Sequence, residues 1–203
     1  MKNRDPLNLI ICGTGGQGNV LVSRLMARMF AKKGYNVTIG ETFGMSQRGG
    51  NVMSHVRVSQ TRSYGPLIPK GQGRIILSIE PMETIRVLGV YGNPDIEIIT
   101  NTRPVYPISA ITGESDYPGM EEIIRVIKEL SAKSWSLDAT QISLDMGNPI
   151  LTNMIMMGAF VGTKVTELTI TDLEGVLQDT FAKKIAKTNT DAANRGIQAV
   201  RKQ

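Results

Sequence analysis

The chain has 203 residues with a net charge of +5, 41% apolar and 20% charged, which suits one soluble domain with a full core over 1–203 and excludes a second of ordinary size or a disordered arm. A lone cysteine, Cys12, excludes an internal disulfide and any zinc or iron-sulfur site ligated by cysteines of this chain alone. The longest apolar runs, 7–12 and 154–161, are too short to span a bilayer, so the expectation is a cytoplasmic protein without membrane contact.

Residues 7–12 read as a buried parallel strand, because a short apolar run ends directly in a glycine turn. Val20, Leu21, Leu25, Met29 and Phe30 then recur at helical spacing, predicting a helix over 16–33 stopped by Gly34. A strand over 35–39 completes a β-α-β unit. Residues 41–50 carry three glycines and no apolar period, which predicts a structured loop. Over 51–59 the chain alternates: Val52, Ser54, Val56 and Val58 point one way, Met53, His55, Arg57 and Ser59 the other.

Turns at Gly65-Pro66 and 69–71 precede a strand over 74–79, and Pro81 opens a helix. A strand over 95–100 and a loop over 101–107 follow. The turn Tyr117-Pro118-Gly119 leads into a helix through Leu130, with Ile123, Ile124, Ile127 and Leu130 on its buried side. After a strand over 135–138, residues 141–202 are nearly all helical, broken at 147–149 and at 169–172, where Thr171 serves as an N-cap. Together these elements predict a Rossmann-like three-layer α/β domain: a mostly parallel open sheet, helices on both faces and a helical C-terminal third.

In Gly13-x-Gly15-x-x-Gly18 the glycines permit a tight turn, backbone approach to an anion and close helix packing, and the helix start offers free amides to a phosphate or carboxylate. Glu41 stands where a dinucleotide-binding domain places its ribose acid, although nothing downstream resembles a hydride-transfer site. Gly44-Met45-Ser46-Gln47-Arg48-Gly49-Gly50 sets hydroxyl, amide and guanidinium donors between glycines, a loop built for contact. His55, the only histidine, shares a strand face with Arg57; without a paired carboxylate or nucleophile it reads as structural or solvated before catalytic. Met154, Met156 and Met157 read as core or subunit interface. The basic residues are dispersed and no RNA-binding or helix-turn-helix signature appears, so the charge suits an acidic subunit or anionic ligand and not nucleic acid.

The segments 13–18 and 44–50, followed by Ser54-His55-Val56-Arg57, closely resemble the gamma-type domain of 2-oxoacid:ferredoxin oxidoreductases, most nearly the beta-subunit type of the indolepyruvate group. Pro66-Leu67-Ile68-Pro69, Glu80-Pro81, Asn153 and the stretch 189–196 extend the resemblance over the whole chain. It implies a small subunit that is inactive alone and has no catalytic residue or metal ligand of its own. A large partner would hold thiamine diphosphate, magnesium and iron-sulfur clusters, and ferredoxin would meet the complex, which could pair as a dimer of heterodimers. The implied reaction is oxidative decarboxylation of a 2-oxoacid, here an aryl pyruvate, with coenzyme A. Its products are an acyl-CoA, carbon dioxide and reduced ferredoxin. The residues placed toward the active-site approach or a coenzyme A anion are Gly13, Thr14, Gly15, Gly16, Gln17, Gly18, Ser46, Gln47, Arg48, Gly49, His55 and Arg57. Two rival readings stand beside it: a free-standing NAD- or FAD-binding oxidoreductase using Gly13, Gly15, Gly18 and Glu41, and a regulatory nucleotide-binding module in which Arg48 reads a phosphate.

Overall fold

The first strand, β1 (Leu7–Thr14), is buried along its whole length. Leu7, Leu9 and Ile11 enter one apolar core, Ile10 and Cys12 another, so the run is continuously apolar because both faces are covered. The computed structural model of the chain describes residues 5–43 and 50–201. The other strands are β2 (Asn36–Phe43), β3 (Asn51–Ser59), β4 (Ile75–Ser78), β5 (Glu97–Asn101) and β6 (Lys133–Leu137). They form one sheet in the order β2-β3-β1-β4-β5-β6.

One helical layer comprises α1 (Asn19–Lys32), α6 (Thr152–Thr163), α7 (Ile170–Thr180) and α8 (Lys183–Val200). The opposite face carries α2 (Pro81–Tyr91) and α4 (Met120–Glu129). Two short helices, α3 (Ile108–Ile111) and α5 (Ala139–Asp145), and a 3-10 turn (Pro149–Leu151) complete the connections. The expected three-layer, mostly parallel architecture holds.

The expected β-α-β unit is present, but it is split by another strand. β1 and β2 run in the same direction but are not neighbours, because β3 lies between them, antiparallel to both. Its pairing runs from Leu7↔Val58 to Thr14↔Asn51 on one side and from Asn36↔Ser59 to Phe43↔Val52 on the other. Parallel pairing is confined to β1–β4, β4–β5 and β5–β6. All these parallel strands end at one edge of the sheet, the carboxyl edge, where β2 also ends and β3 begins.

Helix boundaries follow local chemistry. α1 begins at Asn19 and not at Gly16, because Gly16 and Gly18 take left-handed φ values of 95° and 83°. At its other end Gly34, φ 85°, donates to Ala31 O and Tyr35 N closes back on Phe30 O, a glycine stop of the expected kind. α7 is capped by Thr169, not Thr171: Thr169 Oγ1 accepts from Asp172 N, and Asp172 accepts from Thr169 N at 2.8 Å, a complete capping box. Leu130 was expected to be buried, but α4 ends at Glu129 and leaves it 54% exposed.

The methionine group is core. Every residue of α6 from Asn153 through Val161 is buried, as suits a helix apolar all round. α6 and α8 meet backbone to backbone. A Cβ on Gly158 would stand 1.8 Å from Ala193 O, and one on Gly196 1.9 Å from Ile155 O.

Candidate functional site

In open α/β sheets ligands bind beyond the carboxyl ends of the strands, where the strand order reverses, which here is the glycine turn after β1 and the segment after β4. The turn is largely closed by its own chain. Gln17 folds back so that its Oε1 accepts from Thr14 N at 2.8 Å and its Nε2 reaches Ile79 O at 3.5 Å. Gly15 N donates to Gly50 O at 2.9 Å, and Gln17 N to Thr14 O at 3.3 Å. The cradle of free amides expected from Thr14, Gly15 and Gln17 is therefore mostly spent inside the protein.

The glycines have packing reasons. A Cβ on Gly13 would lie 2.5 Å from Gln17 Oε1, and one on Gly18 would lie 2.3 Å from Asn153 Nδ2 at the start of α6. Gly16 is open to solvent, whereas the first turn of α1, which has no side-chain cap, is largely covered: Asn19 and Val22 are buried. The expected contact residues Ser46, Gln47, Arg48 and Gly49 lie outside the described residues. Both flanks of that segment do reach this edge, through the Phe43↔Val52 pair and the Gly50–Gly15 hydrogen bond.

His55 and Arg57 do not join the site. His55 is 1% exposed; its Nδ1 accepts from Ile68 N at 3.3 Å and its ring meets Tyr91 edge-on at 5.3 Å. Burial, with Arg57 nearby, holds its pKa below the ordinary histidine value. Arg57 pairs with Asn8, at the opposite end of β1 from the turn, and binds Asn8 Oδ1, Gly65 O and Leu67 O, so it fastens the 60–69 segment. Both residues are held by contacts within the chain.

A pH dependence follows from His55. Unfolded, the imidazole takes up a proton below about pH 6.5; folded, it resists, so the unfolded state binds more protons and stability falls as the pH drops. The expected loss is up to about 1.4 kcal/mol per pH unit below 6.5 until the folded group also titrates. Urea unfolding at pH 7, 6 and 5 measures it, and His55→Gln should flatten that part of the slope.

Glu41 does not serve as a ribose acid beside the turn. With β3 interposed, it sits on a strand two places from β1 and faces α1, where Arg24 Nε lies 3.8 Å away. The dinucleotide geometry is lost. Cys12 is fully buried, and burial pushes its thiol up to about 12, so it is a protonated core residue.

Sequence reasoning missed what organises the edge, Glu80. This carboxylate is 1% exposed; its Oε2 accepts from Glu83 N at 2.8 Å, capping α2, while Oε1 accepts from Tyr117 OH at 2.6 Å and Val105 N at 3.3 Å. Burial first, then this bond, raises the Tyr117 phenol far above its ordinary pKa. The available signal was Pro81 at the first helical position, which makes residue 80 the cap.

Two clefts flank the ion pair of Glu83 and Arg86 on α2. One, of about 250 Å³, runs past Thr14, Ser109 and Tyr117. The other, of about 290 Å³, runs past Thr42, Asn51 and Tyr91. Burial raises the Glu83 carboxyl pKa against the opposing pull of Arg86. Among the described residues no three His, Cys, Asp or Glu side chains converge as a metal site, and no helix is long and apolar enough to cross a membrane.

A parallel sheet with a glycine turn at its carboxyl edge and an antiparallel hairpin beside it defines a Rossmann-like subunit fold. Residues 8–199 match the pyruvate ferredoxin/flavodoxin oxidoreductase family, and the chain belongs to that family. It is similar to the indolepyruvate oxidoreductase subunit IorB of Pyrococcus horikoshii, 33% identical over 195 residues that cover 96% of each chain. The IorB subunit of Archaeoglobus fulgidus is also 33% identical, over 94% of this chain and 93% of that one. The resemblance drawn from the two glycine motifs is borne out.

Solved structures show the same fold. The pyruvate oxidoreductase subunit PORC of Thermotoga maritima superposes with a TM-score of 0.70 at 17% identity, over 97% of both chains. The 2-oxoglutarate:ferredoxin oxidoreductase of Magnetococcus marinus, solved with 2-oxoglutarate, coenzyme A and succinyl-CoA bound, gives 0.74 at 19% identity over 99% of this chain. The present chain spans only 32% of that Magnetococcus chain.

Proposed function

We propose that the chain is the small, non-catalytic but required subunit of a thiamine-diphosphate-dependent 2-oxoacid:ferredoxin oxidoreductase acting on aryl pyruvates. The observation that carries this is the full-length likeness to IorB, 33% over 96% of both chains, against 29% for the pyruvate synthase subunit PorC of Methanothermobacter marburgensis. A large partner holds thiamine diphosphate, magnesium and iron-sulfur clusters. The single, buried, protonated cysteine agrees with placing the clusters there. The complex converts an aryl pyruvate and coenzyme A to an acyl-CoA and carbon dioxide, passing electrons to ferredoxin.

In this reading the chain shapes the approach to the active site from its carboxyl edge. The uncapped start of α1 and the Arg48 guanidinium serve a coenzyme A phosphate, since an anion gains from both a helix start and a charged fork. Arg48→Ala is then expected to lower kcat/KM for coenzyme A by about tenfold to a hundredfold, the worth of one charged hydrogen bond, with Tm unchanged.

Co-expression with the large subunit and a ferredoxin-reduction assay with indolepyruvate, phenylpyruvate and pyruvate test the assignment. The complex should favour the aryl acids, and neither subunit alone should turn over. Decarboxylation by this chain alone, or full activity of the large subunit without it, would overturn the proposal.

A further inference from the structure

The three most exposed large apolar side chains among the described residues are Ile108 and Ile150, each 79% exposed, and Ile111, 73%. All lie at the carboxyl edge. Residues 108–111 follow the end of β5, and Ile150 shortly precedes the start of α6, where Asn153 abuts Gly18. The isoleucines on α3 stand on an anchored loop, because Glu80 takes Val105 N and Tyr106 meets Tyr117 edge-on at 5.0 Å. Ile108 and Ile111, one helical turn apart and exposed to water on a fixed loop, mark a docking surface, and Ile150 stands at the same edge of the sheet.

The charge around them identifies the occupant. Exposed Glu114, Asp116, Glu121 and Glu122 lie on and beside this loop, and no Lys or Arg occurs from 104 to 124, in a chain whose net charge is +5. A second copy docking through the same face would set these acids against themselves, as a two-fold contact is self-opposed. A different surface, apolar and bordered by Lys and Arg, fits. In the Magnetococcus enzyme this fold is continuous with a much longer chain, so the fold there does not stand alone.

Resting on the small-subunit reading, we propose that segment 106–111 together with Ile150 docks on the large subunit, against an apolar hollow bordered by basic residues. Binding is measured between the purified chain and the large subunit. Ile108→Glu with Ile111→Glu should raise Kd at least about tenfold, as for centrally placed interface residues, while Leu130→Glu at the opposite edge leaves it within about twofold. In the wild-type complex, deuterium uptake over 104–112 should drop, a readout independent of any variant's folding.

Unchanged Kd in the folded double variant, or undiminished uptake over 104–112, overturns the docking surface while leaving the subunit assignment intact. So does self-association of the isolated chain that the double variant abolishes, since that makes a second copy the occupant. Failure of the wild-type chain to bind the large subunit removes the subunit assignment, and this proposal with it.

Discussion

A chain carrying Gly158→Val is expected to lose about 4–5 kcal/mol of stability. The added carbons would enter the space of Ala193, whose carbonyl oxygen lies 1.8 Å from the ideal Cβ position and whose carbonyl carbon lies 2.5 Å away. These are backbone atoms, so no rotamer relieves the overlap; α6 and α8 must separate. Gly196, with Ile155 O at 1.9 Å from its own Cβ position, and Gly162, facing Ile197 and Val200, show the same approach along the crossing.

Separation would open the core that holds Met154, Met156, Met157, Phe160 and Ile197. Overpacking a core costs about 1–3 kcal/mol where side chains can adjust; where backbone blocks backbone, about 4–5 kcal/mol is expected, a large part of a domain's 5–15 kcal/mol. Even Gly158→Ala should lose far more than the ~1 kcal/mol that alanine gains in helix propensity. Gly89→Ala isolates that gain, because nothing lies within 4 Å of its Cβ position on α2. Urea midpoints should therefore move in opposite directions for the two alanine variants. Equal or raised stability in Gly158→Ala would refute the close crossing.

The second large effect concerns Glu80→Ala. One buried carboxylate answers three donors, from Glu83, Val105 and Tyr117, and so joins α2, the loop after β5 and the turn before α4. Removing it leaves those donors without a partner, at about 1–3 kcal/mol for each that water cannot reach, so a loss of about 3–5 kcal/mol is expected. Glu80→Gln should cost less but still about 2 kcal/mol, because its NH2 must face one of the donors. The distinguishing readout is local: amide exchange over 102–119 should rise well above that of α8 in both variants. A uniform rise across the chain would mean that Glu80 contributes only to general stability.

Much of this was legible in the sequence because the signals are local. β3 was bounded correctly at 51–59 by strict alternation, and Gly34 stopped α1, since period and φ preference are properties of short segments. The neighbours of β3 were not legible. Alternation says which side chains share a face, and not which strand will lie alongside; that depends on the return of the chain after β2. The cap at Thr169 is legible in the sequence, because Thr169-x-x-Asp172 carries the capping-box pattern. The position of the glycine turn is legible, and the internal partners of its amides are not. That Gln17 would supply the acceptor for Thr14 N depends on its fold-back toward Ile79, which motif spacing does not contain.

The fold-back of Gln17 bears on how long an anion would stay at this turn. A helix start preceded by a turn whose own amides are already engaged offers a favourable field without a ring of directed bonds. Such a contact is loose and quickly exchanging, and it weakens as salt screens the field. A carrier that must arrive and leave within every catalytic cycle is suited by a berth of that kind, and a permanently held dinucleotide is not.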